Sequence, residues 1–312
     1  SDIILFADDT KLYSCVKNQA DQEVIQDDIE NMNAWSSKWT LKFHPDKCKV
    51  MHIGRKIEKF DYKMNGNIMN YTNDECDLGL NIDDELKFEA HISIKVKKAN
   101  QMMGLIRRTF TYLDKKTFPT LFKAFVRPHI EYANSVWYAH LKRTKVEIEN
   151  VQRRATKSIG CCKGKSYPER LKYLNLPCLA YRKLRGDMIE VFKLLNDHYD
   201  DEIENPLINL LQNEGRTRGN SKKLKKTTGN RTKAVRRRFF SNRIVNFWNE
   251  LPEKVVNSPS LITFENRLDA FWNKYDIKFN FDKCLEFEEL KLSGLGTRHL
   301  ITNIVIDHDL DT

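Results

Sequence analysis

The sequence predicts an α+β chain, with short antiparallel strands and one helix first and a mostly α-helical remainder after them. Three observations predict this. Ile3-Ile4-Leu5, the tetrapeptide Phe6-Ala7-Asp8-Asp9 and Lys11-Leu12-Tyr13 read as strand, paired carboxylates and strand, the layout of a β-hairpin with two acids at its tip. Ile25, Ile29, Met32, Trp35 and Trp39 recur at helical spacing from about Asp21. Beyond residue 88 the apolar period stays helical.

The remaining elements follow in order. Lys49–Ile53 reads as a strand ended by Gly54, after a loop around His44-Pro45-Asp46-Lys47. Asn65-Gly66-Asn67 between Tyr62-Lys63-Met64 and Ile68-Met69 predicts a tight hairpin, and Cys76–Ile82 a further strand. Ile92, Val96, Ala99, Met103, Ile106 and Phe110 predict a helix with Lys95, Lys97, Lys98, Arg107 and Arg108 off its stripe. A second helix carries Leu121, Phe122, Phe125 and Val126 and is expected to close at Pro128. A third carries Ile148, Val151, Ala155 and Ile159, and a fourth Tyr181, Leu184, Met188, Phe192 and Leu195. Later stripes predict a helix from Phe240 to Leu251, stopped by Pro252, and one from Phe264 to Tyr275, capped by Ser258 or Ser260. The Trp, Phe and Met positions of all these stripes are expected in the core. The expected regions are 1–88, 89–165, 166–213, a basic linker at 214–239, a helical pair at 240–278 and a frayed acidic tail at 279–312.

Composition bounds the function. The 312 residues carry a net charge of +10, which favours a polyanionic partner. The linker concentrates it: no acid follows Glu214 before Arg243, and three glycines oppose a continuous helix. The seven cysteines have no zinc-type or redox spacing and are read as reduced and intracellular. No apolar stretch is long enough to span a membrane, and no histidine is assigned to metal or catalysis. Ser1 is not a start methionine, so the chain is expected to be part of a longer one.

Phe6-Ala7-Asp8-Asp9, the helix ending Trp35-Ser36-Ser37-Lys38-Trp39, and Leu41–Lys49 occur in an order that resembles the palm of a reverse transcriptase. Leu78–Asp83 with Leu86–Ile92 looks like that family's passage from palm to thumb. Phe125–Tyr132, Val151–Ala155 and Arg243–Pro252 are similar to stretches downstream of the polymerase core in non-LTR (LINE-type, jockey-like) retrotransposons. The resemblance implies a partial palm, a helical thumb and a C-terminal region of an RNA-directed DNA polymerase. It implies Asp8 and Asp9 as carboxylates for two magnesium or manganese ions, with an RNA template, a DNA primer and deoxynucleoside triphosphates as partners and no membrane. It places Lys47 where a cation could neutralise or protonate pyrophosphate, against the plainer reading of a solvated loop lysine. The family site needs another carboxylate from an upstream strand. Asp2, about 20 Å from Asp8 along one extended strand, cannot supply it.

Lys95, Lys98, Arg107 and Arg108 are expected to grip phosphates, as are Arg236, Arg237 and Arg238 in the basic run. Nuclear-localisation signals at Lys222–Lys226 or Arg236–Arg238 are a rival reading compatible with the first, and give an expected intracellular, nuclear location. The second function class is a catalytically incomplete remnant that binds RNA or DNA without chemistry.

Overall fold

The computed structural model describes residues 1–44, 47–54, 59–196, 199, 220–226 and 234–293. The chain divides into two compact units, Ser1–Leu86 and Lys87–Thr312.

The first unit is built from two-stranded ladders around one helix. β1 (Asp2–Phe6) and β2 (Asp9–Tyr13) form an antiparallel hairpin in which Phe6 faces Asp9 and Asp2 faces Tyr13, leaving Ala7-Asp8 as a two-residue turn. α1 (Gln19–Lys38) starts where the Asn18 side chain accepts the Asp21 N–H at 3.0 Å. β3 (Lys49–Val50) pairs with β6 (Asn70–Tyr71), and the pairing is parallel, where only antiparallel strands were expected. β4 (Lys63–Met64) and β5 (Asn67–Ile68) flank Asn65-Gly66, both at positive φ (52° and 78°), the turn that Asn-Gly predicts.

The single strand expected at 76–82 is instead a hairpin of β7 (Asp74–Asp77) and β8 (Leu80–Asp83). Leu78 and Gly79 take positive φ (46° and 80°), so the glycine supplies the turn and drags a leucine into a costly conformation beside it.

The core of this unit is thin. Ile29, Tyr62 and Met64 are buried, with Leu12, Ile25, Phe43, Cys48, Val50, Phe60 and Met69 packed around them. Gln26 locks α1 to β4 twice, its amide donating to the Lys63 carbonyl (2.9 Å) and its carbonyl accepting the Lys63 N–H (2.8 Å). The ladders cover only the middle of α1. Trp35 and Trp39, expected in the core, are 53% and 57% exposed beyond that cover.

The second unit is helical. α2 (Glu89–Thr109) buries Ile92, Val96, Ala99, Met103 and Ile106, whereas Phe110 caps it and is 39% exposed. α3 (Thr117–Leu121), begun by the Asp114 carboxylate on the Lys116 and Thr117 N–H groups, runs into a π-helical turn at Phe122–Val126 and then α4 (Arg127–Glu131). Pro128 therefore lies inside the helical path and does not close it. The wider turn, with the Arg127 N–H on the Phe122 carbonyl, absorbs the bonding pattern that proline would break. It also leaves Phe125 on the outside, 48% exposed, against expectation.

α5 (Lys142–Lys157) follows, then α6 (Tyr167–Leu174), which the apolar period did not reveal. Its signal is the capping box Ser166-x-x-Glu169 with Pro168 in the first turn. α7 (Leu179–Leu194) is the central helix, packed on α5, on α12 (Leu261–Trp272) and on α13 (Phe281–Ser293). Between α7 and α12 lie the short helices α8 (Ala234–Arg238), α9 (Phe240–Arg243), α10 (Val245–Asn249) and α11 (Glu253–Val256). Ser260 is the α12 cap, accepting the Thr263 N–H.

Three further expectations change. Residues 281–293, placed in the tail, form α13 with Phe281, Cys284, Leu285 and Phe287 buried; 294–312 lie outside the described residues. The basic linker is pinned at 220–226. The buried Asn220 amide donates to the Trp248 and Leu251 carbonyls, Leu224 is buried, and the Trp248 indole donates to the Lys222 carbonyl at 2.7 Å. Residues 214–219 and 227–233 of that linker lie outside the described residues. Helices assigned to successive regions share one core, in which Phe192 stacks on Phe264 with centroids 4.4 Å apart and Trp272 meets Tyr181 edge-on.

Arg243, counted with the basic run, is no surface cation. Its guanidinium grips Asp187 at 2.8 Å through two N–H groups, with both side chains 3% exposed, and donates to the Asn134, Ser135 and Arg238 carbonyls. Breaking one side of such a pair strands a buried charge. Arg243→Met is expected to lower the unfolding free energy of the helical unit by about 3–5 kcal/mol, read from urea midpoints. Arg243→Met with Asp187→Leu is expected to recover part of that loss.

Candidate functional site

Asp8 and Asp9 stand where a two-residue turn puts them. Ala7 takes φ 52°, Asp8 completes the turn and Asp9 opens β2; all three are exposed. Alternation along β2 places Asp9, Lys11 and Tyr13 on one face and Leu12 on the other, toward the core. Lys11 makes an ion pair with Asp77 at 2.5 Å, tying the hairpin to β7. Asp2, opposite Tyr13, is at the far end of the ladder from the turn.

The donor set suits a hard divalent cation in part. Two adjacent carboxylates can supply oxygen ligands to a cation that keeps waters and takes phosphate oxygens at its other positions. Among the described residues no group of three or more His, Cys, Asp or Glu side chains is placed to hold a metal. The hairpin turn thus presents two adjacent carboxylates, and the upstream carboxylate that the resemblance calls for has no substitute among the described residues.

The other expected residues are dispersed. Lys47 is exposed beside β3, its N–H on the His44 carbonyl at 3.0 Å, and no bond joins it to Asp8 or Asp9. Pro45, Asp46 and His198 lie outside the described residues. Lys95 and Lys98 lie toward α4: Lys95 is 6.0 Å from the Tyr132 ring, and burial together with both lysines lowers the His129 pKa. Arg107 sits toward α5, donating to the Arg154 carbonyl at 3.3 Å. Nine residues, about half a helical turn in angle, separate it from Lys98, so these four cations form two patches and not one. Arg236 and Arg237 are exposed on α8 and Arg238 is half-buried.

The feature that spacing along the chain does not reveal is a cavity of about 180 Å³ inside the helical unit, walled by Trp137, Tyr138, Lys145, Glu149, Lys183 and Glu288 among others. Its polar groups are satisfied by one another. Lys145 donates to Glu288 (2.6 Å) and to the Tyr138 hydroxyl (2.9 Å), which itself donates to Glu288 at 2.6 Å. Lys183 donates to the Asn134 and Trp137 carbonyls and to the Asn134 side chain, all within 2.9 Å. Burial, then the nearby Arg243, pushes its pKa down to about 7. Glu149 accepts the N–H groups of Leu179 and Ala180 at the start of α7 and the Tyr167 hydroxyl, yet burial outweighs them and pushes its pKa up to about 7. His91 is a core residue, packed on Trp137 and pushed down to about 4 by burial and Lys95. Only the amphipathic period around these residues was visible in sequence, because a side chain two turns from its neighbour announces burial but not its partner.

No family model, curated protein or solved structure matches this chain.

Glu149 gives the helical unit a pH dependence of fixed sign. Its pKa rises from 4.5 to about 7 on folding, so between those values the folded chain holds a proton that the unfolded chain has released. The Glu149 contribution to stability is therefore greatest at the acidic end of the window and falls as pH rises through it, by an amount of order 3 kcal/mol. His91, whose pKa falls from 6.5 to about 4 on folding, acts in the opposite sense between those values and by a similar amount, and Lys183 does so above pH 7. Urea midpoints taken between pH 4.5 and 7 are expected to rise with pH for Glu149→Gln, where the His91 contribution is left unopposed, and to change less for the native chain.

Proposed function

We propose that the chain is the C-terminal portion of an RNA-directed DNA polymerase of the non-LTR retrotransposon type, and that Asp8 and Asp9 are its metal-binding carboxylates. The observation that carries the reading is the ordered series of sequence motifs from Phe6-Ala7-Asp8-Asp9 to Arg243–Pro252. The hairpin supports it: two acids at an exposed, tight turn are open to an incoming triphosphate and a primer end.

In this reading Asp8, at the turn itself, is the direct ligand and Asp9, held in the ladder opposite Phe6, is shared or supporting. A bound magnesium or manganese ion would supply activation of the primer 3′-hydroxyl and neutralisation of pyrophosphate. Leu12 and the Lys11–Asp77 pair fix the β2 backbone, so the carboxylates are positioned by the strand and not by their own side-chain contacts. Lys47 would meet the departing pyrophosphate from the loop before β3. Arg236, Arg237 and Arg238 would hold nucleic-acid phosphates.

A binding module without chemistry is the second reading, favoured by one observation: Arg236 and Arg237 lie exposed on α8, in a stretch with no acid between Glu214 and Arg243.

The test joins this chain to its own upstream reading frame and follows template-directed nucleotide incorporation on an RNA–DNA primer–template. Asp8→Asn is expected to lower incorporation by at least about 10²-fold while leaving primer–template affinity within twofold. Undiminished incorporation in that variant would remove the carboxylate assignment and leave the binding reading. Neutralising Arg236, Arg237 and Arg238 together is expected to weaken duplex binding and to reduce its log–log salt slope by about 0.9 for each phosphate left without a cation. An unchanged slope would assign that cluster to nuclear import.

A further inference from the structure

The ends of three helices and one loop bring together a surface that takes in Arg107 and Arg108 of the expected grip residues and extends well beyond them. Residues 104–117 and 153–173 together contain eleven lysines and arginines against two carboxylates, Asp114 and Glu169. Both carboxylates are occupied in capping helices: Asp114 accepts the Lys116 and Thr117 N–H groups, and Glu169 the Ser166 N–H and hydroxyl.

The two segments are joined in space by specific contacts. Arg107, at the end of α2, donates to the carbonyl of Arg154 at the end of α5. Arg170 on α6 ties that same end of α5 through the Thr156 hydroxyl and reaches the Lys165 carbonyl at 2.9 Å. Lys165 and Lys115, one from each segment, lie 5.3 and 4.7 Å from the Tyr173 ring. Arg107, Arg108, Lys115, Lys116, Arg154 and Lys157 are exposed, and among the described residues none of the six makes an ion pair with a carboxylate. Asp114 lies near Lys116 and Asp276 pairs with Lys172, so the cations are offset only in part; the surplus of like charge raises the local potential and favours an anionic ligand.

An aromatic pair stands among these cations. Phe110 and Tyr112 occupy the loop between α2 and α3, 39% and 77% exposed, with Arg107 and Arg108 on one side and Lys115 and Lys116 on the other. An exposed ring has no role against the phosphates of a closed duplex, whose bases are already stacked on each other. It has one against a nucleotide whose base is free, since every base presents a face on which an aromatic can stack.

We propose that this face of the helical unit binds single-stranded nucleic acid, with the arginines and lysines tracking phosphates and Tyr112 stacking on a base. The proposal uses charge and exposure within the helical unit only, so it stands whether or not Asp8 and Asp9 catalyse polymerisation.

The test is equilibrium binding of fluorescently labelled 12-nucleotide single-stranded RNA and DNA, and of a 12-base-pair duplex, to the full chain over a range of salt. Single strands are expected to bind more tightly than the duplex, and comparison of the RNA and DNA arms identifies the natural strand. Neutralising Arg107, Arg108 and Arg154 to Gln is expected to reduce the log–log salt slope by about 0.7 for each phosphate left without a cation. Tyr112→Ala is expected to weaken single-strand binding at least about fivefold while leaving the salt slope unchanged. All four positions are exposed, and unchanged urea midpoints establish that each variant is folded. Equal affinity for duplex and single strand with no effect of Tyr112→Ala would overturn the proposal, as would a triple variant that binds like the native chain. Because the readout is binding, a chain that incorporates no nucleotide leaves this result standing, and incorporation without single-strand binding leaves only the polymerase reading.

Discussion

Buried carbonyl groups have to meet donors, and in the helical unit that requirement falls on one loop. The chain from Tyr132 to Trp137 turns between α4 and α5 with Ala133 at φ 50°, which points several of its carbonyls inward. Two cations from elsewhere meet them: Lys183 takes Asn134 and Trp137, and Arg243 takes Asn134 and Ser135. Gly186 lets α7 approach this closely, since a methyl group there would stand 3.1 Å from the Asn134 amide. Asp187, one residue on, balances Arg243. A single stretch of α7 thereby fixes the loop, orients α9 and closes one wall of the cavity. The cost of burying two cations is accepted because the alternative is unsatisfied backbone.

The first unit solves its packing differently. It has no large core, and it substitutes local devices: the Gln26 clasp on β4, turns with paired positive φ, and the Lys11–Asp77 pair between hairpins. Rigidity at the Asp8-Asp9 turn therefore comes from backbone geometry. Few side chains would need to move for the carboxylates to adjust to a ligand, and few hold them in place before one arrives.

How much of this was legible depended on which physics the residues express locally. The hairpin at Asp8-Asp9 and the turn at Asn65-Gly66 were readable because turn chemistry acts over four residues. The buried face of α2 was readable from spacing alone, and so were the stripes of α7 and α12. The hairpin at Leu78-Gly79 was not, because a leucine at positive φ is a poor turn residue and only the glycine beside it signals the bend. Pro128 misled for the opposite reason: its usual effect is cancelled by a π-turn formed by the residues before it. Arg243 looked like one cation of a basic run, since nothing in its neighbourhood of the sequence announces Asp187, 56 residues away. Of the candidate site, the acids and the arginines were readable by type; their separation into distinct patches follows from helix phase and packing, which sequence spacing reaches only within one helix.

β1 pairs with β2 on one side, and among the described residues nothing pairs with its other edge. Ile3, Ile4, Leu5 and Phe6 lie exposed along it, and the strand has one charge, at its beginning. Such an edge offers unpaired N–H and C=O groups and apolar side chains to any extended chain that comes near, including a second copy of itself. Solution work on the chain is thus a contest between folding and strand-to-strand growth. Concentration decides it, and a lysine at Ile4 would tilt the outcome toward the monomer.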